Sequence, residues 1–280
     1  MALVKRIALN YIRTKFKLLS AISKRKAAEQ ALRLFITPQS RVRKPLTQIF
    51  LQAEDVHFIF SGVTVKGYRW NAGAAKKLLI VHGYESSVVN FEAFIPRLLH
   101  KGYCILAFDA PAHGSSGGKS LNAIEYTDFV IEINNRFGPI DAYITHSFGG
   151  LAVSLALEQL PHSKETKVVL IAPATESITA INQFFNFLRI NGAVRNEFDR
   201  LITEANNKPP GWYSVSRAAA HIKASVLFLQ DKEDPLTPLS DVQPLIDKQY
   251  PNFNFIITKG LGHKKIYRDT GNINSIINFL

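Results

Sequence analysis

Thr145-His146-Ser147-Phe148-Gly149-Gly150 follows directly on the apolar run Ala142-Tyr143-Ile144, and Leu151-Ala152-Val153-Ser154-Leu155-Ala156-Leu157-Glu158 behind it reads as a helix. A serine between a buried strand and a helix, with Gly two residues later, has the form of a nucleophile elbow. There the chain turns so sharply that the Ser side chain stands clear of the sheet and only small neighbours fit beside it. A helix beginning at the Ser also aims its unpaired N–H groups at charge forming near the hydroxyl. Taken alone, the hexapeptide equally fits an ordinary strand-to-helix turn. The usual elbow has Gly two residues before the Ser, where this chain has Thr145.

A Ser hydroxyl needs a His to take its proton, and the His needs a carboxylate to hold its tautomer. Downstream, the buried-strand pattern Ser225-Val226-Leu227-Phe228-Leu229 runs into Gln230-Asp231-Lys232-Glu233-Asp234-Pro235-Leu236-Thr237-Pro238. A second strand, Phe253-Asn254-Phe255-Ile256-Ile257, leads to Lys259-Gly260-Leu261-Gly262-His263. Serine, acid and histidine therefore come in that order, which separates this arrangement from the chymotrypsin and subtilisin orders. Upstream, Lys77–Val81 ends in His82-Gly83-Tyr84, and Cys104–Phe108 ends in Asp109-Ala110-Pro111-Ala112-His113-Gly114-Ser115-Ser116.

On these motifs residues 54–280 resemble the α/β-hydrolase superfamily. Its members carry an HG-aromatic turn, a D-x-P-G-H-G-x-S segment, a G-x-S-x-G elbow, an acid in a D-x-x-x-P context and a G-x-G-H loop, in this order. The departures are Thr145 and Ala112, each in a glycine position, and Asp231 where members often have Gly. The resemblance implies a serine hydrolase with Ser147 as nucleophile, His263 as general base and then acid, and Asp234 as orienting carboxylate. Asp231 is the rival acid, and Pro238 in the matching position favours Asp234. The backbone N–H groups of Tyr84 and Phe148 would form the oxyanion hole. Each residue also has a plainer reading: Ser147 a helix cap, Asp234 a turn former, His263 a solvated loop residue. His82 and His113 are read as shaping their turns. A carboxylesterase acting on a small or medium apolar ester is the first functional reading. Acyl transfer, thioester or peptide cleavage, and cofactor-free haloperoxidase chemistry are alternatives on this fold, as is a non-catalytic hydrolase-like binding protein.

Length and patterning agree with the resemblance. The 280 residues, 46% of them hydrophobic, suffice for one large core with insertions. Six apolar strands near 77–82, 104–109, 141–146, 167–173, 225–230 and 253–258 alternate with helical stretches, which predicts an α/β, mainly parallel, doubly wound sheet. Val56–Phe60 and Val63–Trp70 around Ser61-Gly62 read as a leading antiparallel hairpin. An insertion of about 174–224 falls where the superfamily carries a small helical cap. Its Phe184, Phe185, Phe187 and Leu188 are candidates to line an apolar substrate pocket, or simply pack the cap. Cys104, the single cysteine, reads as a buried hydrophobe. No metal-ligand cluster and no phosphate-binding glycine loop is present in the sequence, so neither a metal nor a cofactor is expected.

Charge is concentrated at one end. Of a net +12, the first 44 residues hold +11, with twelve Lys/Arg against the lone acid Glu29. Helices are expected near 2–22 and 24–36 in a basic extension over 1–53. Leu3, Val4, Ile7, Ala8, Tyr11, Ile12, Leu19 and Ile22 recur at helical spacing. The favoured reading is an extension that packs this stripe on the hydrolase body. Contact with an anionic membrane surface is the second reading, and nucleic acid, lacking a recognition pattern, a distant third. With no secretory apolar core and no membrane-length apolar run, a soluble cytoplasmic protein is expected, peripheral to a membrane under the second reading.

Overall fold

Apolar runs too short for stable helices and bounded by Gly, Pro and Asp become strands here. In the computed structural model, which describes residues 2–190 and 192–280 and the side chains of all of these except 2–6 and 8, eight of them form one sheet. They are β1 (Glu54–Phe60), β2 (Val63–Trp70), β3 (Lys76–Val81), β4 (Tyr103–Phe108), β5 (Ala142–His146), β6 (Lys167–Ile171), β7 (Ser225–Asp231) and β8 (Phe253–Thr258). The strand order is β1-β2-β4-β3-β5-β6-β7-β8. β1 and β2 pair antiparallel, as do β2 and β4, and every later pair is parallel.

The expected hairpin forms because Ser61 and Gly62, at φ +47° and +76°, supply the two left-handed residues of a tight turn matched to strand twist. Gly67 in β2 faces Phe108 of β4, and a side chain there would collide with the Phe108 ring. β4 is buried along its whole length, as a strand covered on both faces must be. The helices α3 (Ala123–Phe137), α4 (Phe148–Ala156), α7 (Leu239–Asp247) and α8 (Thr270–Phe279) follow strands of the parallel part of the sheet. Asn122 and Glu125 start α3 with a reciprocal capping box.

Two compact units share the chain: Pro38–Thr175 with Ser214–Leu280, which holds the sheet, and Met1–Thr37 with Glu176–Tyr213, which is helical. The helical unit contains α1 (Ala2–Ile22), α2 (Lys24–Ile36), α5 (Ser177–Leu188) and α6 (Gly192–Asn206). The basic extension thus finds its packing partner in the insertion. Ala27, Ala28 and Ala31 of α2 are small enough to bring helix backbones close, and Phe16, Ile181, Phe185, Leu188, Val194 and Phe198 fill the space between. Phe185 meets Phe198 edge to face at 5.1 Å and Phe35 meets Phe184 at 5.2 Å. Arg25 of α2 bridges to Glu204 of α6 at 3.0 Å.

The face of α1 that packs shares only Ile12 and Leu19 with the predicted stripe, and adds Leu9 and Phe16. Leu9, Ile12, Phe16 and Leu19 turn into the helical unit, while Ile7, Tyr11 and Ile22 are 61%, 69% and 81% exposed. Leu3, Val4 and Ala8 of the predicted stripe lie outside the described side chains. α1 is apolar on two opposite faces, and periodicity alone does not choose between them.

Candidate active site

β5 delivers the chain to Ser147, which adopts φ +53°, ψ −121°, a conformation costly to any residue other than Gly. The surroundings enforce it. A Cβ on Gly149 would lie 2.5 Å from the His82 carbonyl oxygen, and one on Gly150 would lie 2.6 Å from Pro173. These glycines are therefore required by close backbone approach. Thr145, in the position where Gly is usual, is fully buried and its Oγ1 donates to the Val169 carbonyl of β6 at 2.9 Å. A Cβ on Gly150 would sit 3.2 Å from that oxygen, so the glycine after the turn makes the room that Thr145 takes.

Ser147 Oγ is 3.0 Å from His263 Nε2, and His263 Nδ1 is 2.7 Å from Asp234 Oδ2. Ser147 opens α4, Asp234 lies in the turn after β7, and His263 follows β8, so three strand ends bring the groups together. The contacts correspond to a hydroxyl donating to Nε2 and an Nδ1–H donating to the carboxylate. Asp234 Oδ1 also accepts from the N–H groups of Leu236 and Thr237, at 2.9 and 3.1 Å, and Oδ2 from Thr237 Oγ1 at 2.8 Å. Burial pushes the Asp234 carboxyl up, but the His263 and Thr237 hydrogen bonds and the imidazole charge outweigh it and hold the group below the usual 3.8. It is an anion at neutral pH.

Asp231 is fully buried and takes a different part. Its carboxylate accepts from Glu233 N–H (2.9 Å), Leu261 N–H (3.0 Å) and Thr258 Oγ1 (2.7 Å). It ties the turn after β7 to the loop that carries His263.

The two segments that carry the expected anion donors, at Phe148 and at His82-Gly83-Tyr84, adjoin the serine. The N–H of Phe148 is the first of α4, where the helix offers no acceptor. Gly83 packs so closely that a Cβ would lie 2.9 Å from that of Ser147, which brings the His82-Gly83-Tyr84 turn against the elbow. The Tyr84 ring stands 5.9 Å from Phe148. His82 shapes this turn: its Nδ1 is 2.7 Å from the Gly83 carbonyl oxygen, and its Nε2 accepts from Ala110 N–H at 3.0 Å. Only the neutral Nδ1–H tautomer satisfies both contacts. Tyr126 of α3 donates to the His82 carbonyl at 2.7 Å, and the buried Asp109 carboxylate accepts from Val88 and Ser115 N–H groups. His113 Nδ1 contacts the Pro111 carbonyl at 2.9 Å, and Ala112 stands at φ +65°, where Gly is the strain-free choice.

Two further residues support the cluster that the motifs did not single out. His146 is buried beneath the elbow, and its Nε2–H donates to the His263 carbonyl at 2.9 Å. Burial first, and then the neighbouring His263, push its imidazole down to about 3, so it is a neutral prop for the loop. Thr237 anchors the carboxylate. Their sequence signals were their places, directly before the serine and three residues after the acid. The four pocket candidates lie in the helical unit. Phe185 and Leu188 are in its core, Phe184 packs on Phe35, and Phe187 is 61% exposed. Packing accounts for the first three without a substrate.

Among the described residues no cluster of His, Cys, Asp or Glu could hold a metal ion, and no helix is long and apolar enough to cross a membrane. Known proteins agree with the architecture. A serine hydrolase-like protein of Dictyostelium discoideum is 27% identical over 196 residues, 65% of this chain and 51% of its own. The chain thus spans about half the length of that curated relative. The Pyrococcus furiosus esterase Pf2001 superposes with a TM-score of 0.65 at 22% identity, over 88% of this chain and 96% of its own. A Paleococcus ferrophilus monoacylglycerol lipase gives 0.58 at 20% identity, over 76% and 97%. These structural likenesses carry the fold. The alpha/beta hydrolase family model matches residues 78–264, two thirds of the chain and every strand from β4 to β8. The chain belongs to the alpha/beta hydrolase family.

Proposed function

We propose that this protein is a serine hydrolase that cleaves a small or medium apolar carboxylic ester through an acyl-enzyme on Ser147. The observation that carries the reading is the unbroken relay of 3.0 and 2.7 Å from Ser147 Oγ through His263 to Asp234. In acylation, Oγ attacks the ester carbonyl carbon as its proton passes to His263 Nε2. The oxygen of the tetrahedral intermediate is received by the N–H groups of Phe148 and Tyr84. Asp234 stabilises the imidazolium, which then protonates the departing alcohol. In deacylation, water gives its proton to Nε2, attacks the acyl carbon, and Ser147 is released with the carboxylic acid. The relatives described as an esterase, a lipase and a serine hydrolase-like protein are consistent with ester chemistry.

The test is hydrolysis of short-chain p-nitrophenyl esters by the full chain and by Ser147→Ala. Turnover that disappears in the variant supports the reading, because no acyl-enzyme can form. Turnover that survives in Ser147→Ala contradicts it.

A further inference from the structure

We propose that the outward face of α1 is an interfacial surface that lies on an anionic lipid bilayer. Ile7, Tyr11, Leu18 and Ile22 are 61%, 69%, 64% and 81% exposed. Their spacings of four, seven and four residues keep them within about 60° of one another on a helix of 3.6 residues per turn. They form an apolar strip about 22 Å long, at 1.5 Å per residue. Phe16, buried, and Leu9, Ile12 and Leu19, partly buried, occupy the opposite side and pack into the core of the helical unit. Nothing among the described residues covers the outer strip. Of the nine large hydrophobic side chains exposed among the described residues, five are in the helical unit, the fifth being Phe187. That unit holds about a quarter of the chain, so the exposed apolar surface is concentrated there.

Charge identifies the occupant. Lys15 and Lys17 are exposed and fall about 80° to either side of Ile7, on the two shoulders of the strip. No acid occurs anywhere on α1, and neither lysine has a carboxylate within ion-pair distance. The helical unit as a whole carries thirteen Lys/Arg against five Asp/Glu, a net of +8 out of the chain's +12. An apolar centre with cationic shoulders matches acyl chains below and anionic headgroups beside the helix. A second copy paired through the same face would set Lys15 and Lys17 against their own counterparts with no acid to relieve them. A nucleic acid would meet an apolar centre where its phosphates need cations. The strip itself is independent of the hydrolase reading.

The experiment is co-sedimentation of the full chain with vesicles of phosphatidylcholine alone and of phosphatidylcholine containing phosphatidylglycerol. The protein is expected on the anionic vesicles at about 0.01 M salt and released near 1 M, where screening falls to about 3 Å. Leu18→Ser with Ile22→Ser removes two exposed side chains. It should leave thermal unfolding unchanged while weakening binding about tenfold per residue. Lys15→Gln with Lys17→Gln should weaken it about 25-fold at low salt, about fivefold per charge. Absence of the full chain from anionic vesicles at low salt overturns the proposal, as does equal binding by both double variants. Self-association without lipid that Leu18→Ser with Ile22→Ser abolishes also overturns it, by assigning the face to a second copy.

Discussion

Acid should unfold this protein through its buried imidazoles, and the effect should begin well above the carboxylate range. Burial first, then the neighbouring His82, pushes His113 down to about 3, and burial with His263 does the same to His146. His82 shifts in the same direction, again because of burial. Geometry gives the reason for His82 and His113. Protonating His82 would place an N–H against the Ala110 N–H it now accepts from, and His113 Nε2 is buried without a partner. In the unfolded chain these rings take up protons near 6.5. Because the folded values are lowered, the unfolded state binds more protons below 6.5, so stability falls as pH falls from 6.5 towards 3. Between pH 7 and pH 5 an imidazole that stays neutral only when folded removes about 2 kcal/mol, hence about 4 kcal/mol for His113 and His146 together. That is a large share of the about 5–15 kcal/mol that holds a typical domain together. Urea unfolding followed by tryptophan fluorescence at the two pH values measures it. His113→Phe should recover about 2 kcal/mol of the pH dependence. Equal urea midpoints at pH 7 and pH 5 would refute the argument, as would a His113→Phe variant with unchanged acid sensitivity.

Two other expectations follow from the site. Asp234→Asn should lower kcat on p-nitrophenyl esters by about 10⁴-fold, since it presents the wrong partner to His263 Nδ1. Asp231→Asn should leave kcat of the same order while costing about 1–3 kcal/mol in unfolding, because it weakens the acceptors for Glu233, Thr258 and Leu261; steady-state kinetics beside denaturation would expose the reverse ranking. Ala112→Gly should stabilise the protein by about 1 kcal/mol by relieving a left-handed residue at φ +65°, and an unchanged or lower melting temperature would contradict that.

The sheet was legible because each parallel strand is an unbroken apolar run ended by Gly, Asp or His, so period, length and punctuation agree. The hairpin was legible for the same reason, from Ser61-Gly62 between alternating strands. The meeting of Ser147, Asp234 and His263 could be anticipated only as an order along the chain. What closes the distances is the parallel register of β5 through β8, which sets the three strand ends side by side. His146 was hidden because a histidine before the serine looks like any elbow residue, and its part depends on a carbonyl 117 residues away. The packing of α1 was legible only in part: Ile12 and Leu19 of the expected stripe pack, while Ile7, Tyr11 and Ile22 are exposed. Ile7-Tyr11-Ile22 and Leu9-Ile12-Phe16-Leu19 are both regular apolar faces, and the choice between them is made by Val194, Phe198 and the alanines of α2. Periodicity reports that a face is apolar; it does not report which partner meets it.

If His263 activates Ser147 as a nucleophile, covalent labelling reveals it without knowledge of the substrate. A fluorophosphonate probe should phosphonylate the full chain at one residue, located by peptide mass spectrometry at Ser147. The rate should collapse in His263→Ala and the label should vanish in Ser147→Ala. Folded protein that remains unlabelled, or that carries the label on another residue, would rule out Ser147 as the nucleophile.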